Sequence, residues 1–177
     1  MNVEHASIAG VKLITPDIHG DQRGFFMETY QAQRYAEIAG VDVSFVQDNH
    51  SRSGQGVLRG IHLQKTRPQG KLVRVSRGAV FDVAVDLRKG STTFGQWCGT
   101  ELSDANGAQL WIPPGFGHGF LVLSEVADFE YKCTDYYVPE DEATLAWDDP
   151  DVGIEWPVDA PLVSSKDAAG LPLSEFR

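Results

Sequence analysis

One strand-like stretch, Val57-Leu58-Arg59-Gly60-Ile61-His62-Leu63-Gln64, is followed closely by Pro68-Gln69-Gly70-Lys71-Leu72-Val73. It places a histidine among apolar residues, with an arginine and a lysine within nine positions of it. A neutral imidazole titrates near pH 6.5, so it can take up and release a proton at neutral pH. Fixed cations beside such a base suit a reaction in which negative charge develops on a substrate. The alternative is a core histidine that is only hydrogen-bonded, and the two cations favour the functional interpretation.

Similar short strand patterns recur along the chain, separated by glycine, proline, aspartate or asparagine turns. This pattern is typical of an antiparallel sandwich or barrel, so the sequence predicts an all-β fold in a single domain over residues 1–177. The predicted strands are Phe25–Tyr30, Ser44–Asn49, Val57–Gln64, Lys71–Ser76, Ala79–Leu87, Phe94–Leu102, Gln109–Ile112, Gly115–Leu123, Asp128–Tyr137 and Ala143–Trp147. One helix is predicted, Gln31–Ala39, which ends at Gly40. Docked tails or loose ends are expected up to Ala9 and after Leu171.

Alternation along two of these strands indicates which side chains share a face. In Ala79–Leu87 the odd-numbered apolar residues lie on one face, so Asp82 is expected to face solvent or a polar cavity. In Asp128–Tyr137 an apolar face includes Tyr131, whose buried hydroxyl would need a partner such as a ligand or a histidine. Ordinary core packing of Tyr131 is an equal alternative.

Arg59 and His62 are three residues apart, so on a regular strand their side chains would point to opposite faces. Either Gly60 marks a β-bulge or the two residues serve different sites.

Composition excludes several classes of protein. A net charge of −10 disfavours nucleic acid as a partner, because binding by counterion release needs a basic surface. A small phosphorylated ligand would need only a local cluster of cations, which Arg23, Arg59, Lys71 and Arg74 could supply. No membrane partner is expected, since no apolar stretch approaches about 20 residues and the N-terminus lacks a signal-peptide pattern. With only two cysteines and no disulfide framework, a cytoplasmic protein is expected.

The reactive side chains fit acid–base chemistry better than the other common classes. The five histidines include no His-x-His pair, so no metal is expected. Hydrolase elbows and glycine-rich phosphate loops are also missing. What remains is proton abstraction next to a carbonyl without a cofactor. The candidate bases and acids are His62, His118 and Tyr131, the candidate partner carboxylates are Asp82 and Asp167, and the candidate oxyanion-stabilising cation is Lys71.

A series of ordered motifs covers about residues 8–172: Asp21–Glu28, Phe45–Ser51, Val57–Gln64 with Lys71–Val73, Val80–Arg88, Gln109–Pro113 with Gly115–Leu123, Tyr131–Tyr137 and Trp147–Pro150. Together they closely resemble the dTDP-4-dehydrorhamnose 3,5-epimerase family of sugar-nucleotide enzymes. The resemblance implies a cupin-type jelly-roll β-barrel with short peripheral helices. It also implies a homodimer that works without metal or organic cofactor.

The resemblance implies a substrate, a dTDP-4-keto-6-deoxyhexose, that is inverted at C3 and C5. Both carbons flank the C4 ketone, so loss of either proton gives an enolate. His62 matches the family's base and Asp167 matches the carboxylate paired with it. Tyr131 matches the acid that returns a proton from the opposite face, and Lys71 matches the cation near the C4 oxygen.

By the same matching, a further set of residues would line the substrate and nucleotide site: Arg23, Phe26, Glu28, Gln47, Asp48, Asn49, Arg59, Asp82, His118, Glu142 and Lys166. In the family some of the N-terminal residues serve the neighbouring subunit's pocket. Leu63 stands where the family commonly has tyrosine, which bears on substrate preference. The alternatives are an epimerase of C3 or C5 alone, a metal-dependent cupin oxygenase and a non-catalytic sugar-binding barrel.

Overall fold

The computed structural model describes residues 1–177 and consists mainly of β-strands. The strands are β1 Asn2–His5, β2 Lys12–Thr15, β3 Ile18–Asp21, β4 Gly24–Met27, β5 Gln47–Gly54, β6 Leu58–Gln64, β7 Lys71–Arg77, β8 Ala79–Asp86, β9 Trp97–Ser103, β10 Gln109–Ile112, β11 Phe116–Val122, β12 Val126–Cys133 and β13 Glu142–Thr144. The helices are α1 Ala32–Ala39 and α2 Ser165–Ala168, with 3₁₀ turns at Pro139–Asp141 and Leu173–Phe176.

Two antiparallel sheets enclose the main core. The six-stranded sheet has the order β1-β2-β10-β7-β12-β5, and the five-stranded sheet has the order β13-β6-β11-β8-β9. Fifteen buried residues from both sheets and the β1–β2 connection, among them Val73, Phe120 and Phe129, pack into one cluster between them. The predicted all-β jelly-roll class is confirmed. The sheets are not closed into a barrel, however, since each keeps two unpaired edge strands.

Most predicted strands are confirmed with shifted ends. The predicted Ser44–Asn49 starts and ends later as β5, and the predicted Ala143–Trp147 shrinks to the three-residue β13. The largest error lies at the N-terminus, where β1 and β2 form an antiparallel pair on the edge of the six-stranded sheet. β1 and β2 are each only four residues long, and β1 is largely exposed. Such short segments have no clear local strand pattern, so their pairing depends on the neighbouring β10.

The predicted helix Gln31–Ala39 is confirmed as α1. The Gln31 side chain caps its first turn by accepting a hydrogen bond from the Arg34 N–H, and Gly40 ends it in the left-handed conformation at φ 60°. Tyr35 and Ala39 are buried against Ile14, Leu72 and Trp111 on the outer face of the six-stranded sheet. α1 therefore covers the face of this sheet that lies away from the main core.

The two faces of β8 are assigned differently from the sequence-based expectation. Val83 and Val85 do share an apolar face, but it packs on a second, outer cluster of nine buried residues. Val80 and Ala84, on the face that carries Asp82, point into the larger core between the sheets. Asp82 is 0% exposed. Asp82 therefore does not face solvent, which was the first of its two expected environments, because both faces of β8 are covered and alternation alone does not rank them.

The C-terminal segment returns to the residues that directly follow β13. Leu145 and Leu171 form a parallel bridge, and the backbone N–H of Ala146 donates to the carbonyl of Leu171 at 2.8 Å. This pairing fixes α2 beside β6, so the C-terminal residues after α2 are docked. No helix of the chain combines the length and the hydropathy that crossing a membrane would require.

Candidate active site

A cavity of about 370 Å³ opens at one end of the space between the two sheets. Its lining combines an aromatic floor with polar and charged side chains. The lining residues from the predicted site are Gln47, Asn49, Arg59, His62, Lys71, His118, Tyr131 and Glu142. The volume and the convergence of polar groups are those of a small-molecule site.

His62 and Asp167 form a buried pair at this cavity. Nε2 of His62 lies 2.6 Å from Oδ1 of Asp167, and the backbone N–H of Asp167 donates to Oγ of Ser164 at the start of α2. Burial raises the pKa of Asp167, but the hydrogen bond from His62 and the imidazole charge outweigh it, so that the pKa is lowered overall. An ionised Asp167 holds the proton of neutral His62 on Nε2. The lone pair is then on Nδ1, and the side chain is 27% exposed.

A β-bulge explains how Arg59 and His62 both reach the cavity. On β11, His118 pairs with His62 and Phe120 pairs with Arg59, so three steps along β6 match two along β11. The extra residue lies at Gly60–Ile61, where Gly60 has φ +128° and the peptide bond to Ile61 is cis. A Cβ at Gly60 would approach Cα of Gly119 to 2.5 Å. Of the two alternatives that the sequence left open, the structure has the bulge at Gly60, and it turns both side chains to one face.

Lys71 and Tyr131 lie on the opposite wall, on β7 and β12 of the six-stranded sheet. Nζ of Lys71 is 6.0 Å from the centroid of the Tyr131 ring, and no carboxylate forms an ion pair with it. Burial lowers the pKa of Lys71, and the charges of Cys133, Asp82 and Glu142 oppose that shift. Burial raises the pKa of Tyr131, which keeps the phenol protonated at neutral pH. The cavity thus presents a cation and a proton donor across from His62.

His118 and Asp82 form a second imidazole–carboxylate pair. Nε2 of His118 lies 2.9 Å from Oδ2 and 3.2 Å from Oδ1 of Asp82. Burial lowers the pKa of His118 and raises the pKa of Asp82, so the environment favours the uncharged forms of both. His118 lines the cavity, whereas Asp82 is enclosed behind it and does not. Asp82 therefore holds the ring of His118 and has no direct access to a ligand.

Glu142 lines the cavity and lies close to His62. Its Oε1 lies 3.9 Å from Nδ1 of His62, and its Oε2 accepts a hydrogen bond from the Tyr137 hydroxyl at 2.6 Å. Lys166 forms an ion pair with the same carboxylate. Burial raises the pKa of Glu142, but the hydrogen bonds from Lys166 and Tyr137 and the charge of His62 lower it overall. A carboxylate at this position would stabilise a protonated His62.

Seven predicted residues do not line this cavity: Asp82, Asp167 and Lys166, whose partners His118, His62 and Glu142 do line it, and four others. Arg23 and Phe26 are exposed on the β3–β4 hairpin, and Glu28 forms an ion pair with Arg34 on α1. Asp48 points to the outer face of β5, where it pairs with Lys132. Because Gln47 and Asn49 face inward, the two-residue period of the strand sends Asp48 outward.

Sequence reasoning missed several lining residues. The aromatic floor contains Phe120 and Phe129, whose rings stack with centroids 4.1 Å apart. Tyr137, Gln64 and Gln69 border the mouth. Leu63 also borders the cavity, but it packs on the outer cluster with Val83. Phe120 and Phe129 lie on the inward faces of β11 and β12, which strand alternation could have identified. Gln64 is the last residue of β6, and the loop residues Gln69 and Tyr137 follow no periodic pattern.

No group of three or more histidine, cysteine, aspartate or glutamate side chains is arranged to hold a metal ion. The two imidazole–carboxylate pairs each bring together only two such groups.

The sequence profile of the family described as dTDP-4-dehydrorhamnose 3,5-epimerase matches residues 5–175. The chain belongs to this family. It is 56% identical over 171 residues to a dTDP-4-dehydrorhamnose 3,5-epimerase of Pseudomonas aeruginosa, with 96% of this chain and 94% of that protein covered.

A solved structure is similar over the whole fold. It is a dTDP-6-deoxy-D-glucose-3,5-epimerase of Legionella pneumophila in complex with dTDP-4-keto-L-rhamnose. The TM-score is 0.95 at 55% identity, with 98% of this chain and 93% of that chain covered. A dTDP-4-dehydrorhamnose 3-epimerase of Streptomyces niveus is 42% identical over 178 residues, which cover 100% of this chain and 86% of that protein. The 3,5-epimerase family thus includes relatives named for one inversion as well as for two.

Proposed function

We propose that this family member is a dTDP-4-dehydrorhamnose 3,5-epimerase. It inverts C3 and C5 of dTDP-4-dehydro-6-deoxy-D-glucose and gives dTDP-4-dehydro-L-rhamnose. One observation carries the proposal: a carboxylate-held imidazole on one sheet faces a protonated phenol and an unpaired lysine on the other, across a single cavity. Removal of a proton on one face and return on the other is what inversion of a carbon requires.

Each side chain has one task in the reaction. Nδ1 of His62 removes the proton from the carbon next to the C4 ketone, and the electron pair of the C–H bond moves to the C4 oxygen. Lys71 stabilises the resulting enolate, while Asp167 and Glu142 stabilise the imidazolium. Tyr131 then donates its hydroxyl proton to the carbon from the opposite face. The cycle ends when the phenolate regains a proton and the imidazolium loses one, by exchange with solvent at the cavity mouth. No electrons leave the substrate in these steps, so they need no redox cofactor.

Inversion of one carbon alone is the second candidate. The similarity to the Streptomyces niveus 3-epimerase supports it, although that identity is lower than the 56% to the Pseudomonas aeruginosa 3,5-epimerase. Both reactions would use the same base, acid and cation.

The product decides between the two candidates. Purified protein is incubated with dTDP-4-dehydro-6-deoxy-D-glucose, the ketone is reduced chemically with borohydride, and the released sugars are identified by chromatography against standards. Sugars of the L-rhamnose series indicate double inversion, and sugars with one inverted carbon indicate the mono-epimerase. Recovery of unchanged substrate configuration would refute both.

We further propose that the protein works as a cytoplasmic homodimer in which the β3–β4 hairpin of one copy reaches the cavity of the other. Phe25 and Phe26 on this hairpin are 68% and 70% exposed. The neighbouring Arg23 does not line the cavity of its own chain. Adjacent exposed phenylalanines mark an interaction surface. The resemblance to the family supports a second copy as the partner. Both cysteines are free, which fits a reducing compartment.

A further inference from the structure

The side chain of Gln64 ties together two loops at the mouth of the cavity. Gln64 is the last residue of β6, two positions after His62, and it is only 4% exposed. Its Nε2 donates to the backbone carbonyls of Arg67 at 2.7 Å and Tyr136 at 3.2 Å. Its Oε1 accepts from the backbone N–H of Val138 at 2.6 Å. All three bonds go to main chain, on either side of the mouth.

These bonds bracket Tyr137. The residues before and after it, Tyr136 and Val138, are both held by Gln64, and the N–H of Tyr137 itself donates to Oε1 of Gln47 at 2.9 Å. The Tyr137 hydroxyl donates to Glu142, the cross-strand partner of Gln64. The exposed ring is therefore held by hydrogen bonds, from its neighbouring main chain and from its hydroxyl to Glu142.

Two further links between these loops are partly buried: Nε2 of Gln69 donates to the carbonyl of Asp135 at 2.7 Å, and the N–H of Gly70 donates to Oγ1 of Thr134 at 2.8 Å. The remaining side-chain links are exposed. Arg67 pairs with Asp135, and Asp141 accepts from Thr66 and Arg67, all at the surface. Surface pairs of this kind contribute little because water competes for them. The buried amide of Gln64 lacks that competition, and each unmade bond would leave a buried polar group unpaired.

We propose that Gln64 is a positioning residue for substrate binding. It holds Tyr137 and the loop that carries Gln69 in the arrangement that receives the nucleotide part of the substrate, so that the loops need not be ordered during binding. The assignment rests on the proposed function. It predicts an effect on affinity and little effect on proton transfer, because no atom of Gln64 bonds to His62, Lys71 or Tyr131.

The test compares the change in KM with the change in kcat in Gln64→Glu. This variant keeps the oxygen that accepts from Val138 and loses both N–H donors. We expect KM for the sugar nucleotide and Kd for dTDP, measured by calorimetry, to rise about tenfold, with kcat within about threefold of wild type. Gln64→Asn retains the amide but is one methylene too short for the three bonds, and it should show the same split if Gln64→Glu does not fold.

Asn106→Asp is the matched control. Asn106 also makes three backbone hydrogen bonds, to Ser103, Ala108 and Glu101, in a turn outside the cavity. It should leave KM and Kd unchanged. Unchanged KM and Kd in both Gln64 variants, or a loss confined to kcat, would overturn the assignment. A wild-type protein that binds dTDP but converts no dTDP-4-keto sugar would instead refute the proposed function.

Discussion

At the scale of single residues, the two ring nitrogens of His62 have different surroundings. Nε2 is held by Asp167 at 2.6 Å, and Nδ1 faces the cavity with Glu142 3.9 Å away. The first contact fixes the tautomer, and the second carboxylate stabilises the ring once it is protonated. A lone histidine would have neither property, so the tautomer of His62 and the counter-charge beside it depend on side chains that are distant in sequence.

The first prediction concerns Asp167→Asn. An asparagine amide can donate to Nε2 of His62, which favours the tautomer whose Nδ1 carries the proton and cannot act as a base. We expect kcat to fall about 10³–10⁴-fold, with Kd for dTDP unchanged. Asp104→Asn, which alters a carboxylate bonded to Gly78 outside the cavity, should keep wild-type kcat. Retention of kcat in Asp167→Asn would refute the role of the pair.

The second prediction uses the opposite pKa shifts of Lys71 and Tyr131. Burial lowers the pKa of Lys71 and raises that of Tyr131. If the charged lysine is required, kcat falls as pH rises through the lowered pKa of Lys71, below the ordinary lysine value of about 10.4. The phenol of Tyr131 is still protonated there. In Lys71→Arg the alkaline limb of the pH–kcat profile should move to higher pH at a reduced kcat. An unchanged limb would show that Lys71 does not control it.

At the scale of elements, the close crossing of β6 and β11 presents Arg59, His62 and His118 to one cavity. Gly60 and Gly119 make the crossing possible, because a Cβ on either would meet backbone of the other strand. Gly119 lies in a strand rather than in a turn, and it marks where two backbones come together.

The third prediction is that Gly119→Ala is destabilising. Its Cβ would lie 2.6 Å from Cδ1 of Ile61 and 2.7 Å from the carbonyl oxygen of Arg59. We expect a loss of about 1–3 kcal/mol in the free energy of unfolding, measured by urea denaturation, together with lower activity. Gly20→Ala in the β3–β4 hairpin is the control, since its Cβ would meet nothing closer than 3.8 Å. Equal stability of the two variants would contradict this account of the crossing.

Sequence patterns predicted the elements that have strong local signals, and the errors have physical causes. α1 was predictable over Gln31–Ala39 with its stop at Gly40, and the structure shows that Gln31 is the N-cap rather than the first helical residue. β1 and β2 were not, because their pairing is decided by β10. The two-residue alternation of a strand was sufficient to predict the face of β12 on which Tyr131 lies. It could not predict the environment of Asp82, since both faces of β8 are buried. Gln64 and Tyr137 were missed because loop contacts leave no periodic signal.

At the scale of the whole molecule, a single chain does not bring all the residues predicted for the nucleotide site to its cavity. Arg23, Phe26 and Glu28 do not line the cavity of their own chain. In the proposed homodimer they would reach the cavity of the partner. The family resemblance already implied that some N-terminal residues serve the neighbouring subunit, but no pattern in the sequence itself shows which ones, because that depends on assembly.

The fourth prediction is complementation between two impaired variants. In the proposed dimer, Arg23→Ala impairs the cavity of the partner subunit, whereas His62→Ala impairs the cavity of the subunit that carries it. A dimer with one subunit of each variant therefore has both changes in one cavity and neither in the other. Equal amounts, mixed under conditions that exchange subunits, should recover about a quarter of wild-type activity. Each variant alone is the control, and light scattering should give the mass of a dimer. If mixing recovers no activity although subunits exchange, the hairpin serves its own chain.

The most direct test of the central claim, that His62 serves as the base for both carbons, is proton NMR of dTDP-4-dehydro-6-deoxy-D-glucose in D₂O. With wild-type protein we predict loss of the C3 and C5 proton signals, well above the rate without protein. His62→Ala should abolish exchange at both carbons, whereas Tyr131→Phe should retain exchange with little net inversion. Exchange at either carbon that persists at the wild-type rate in His62→Ala would contradict the claim.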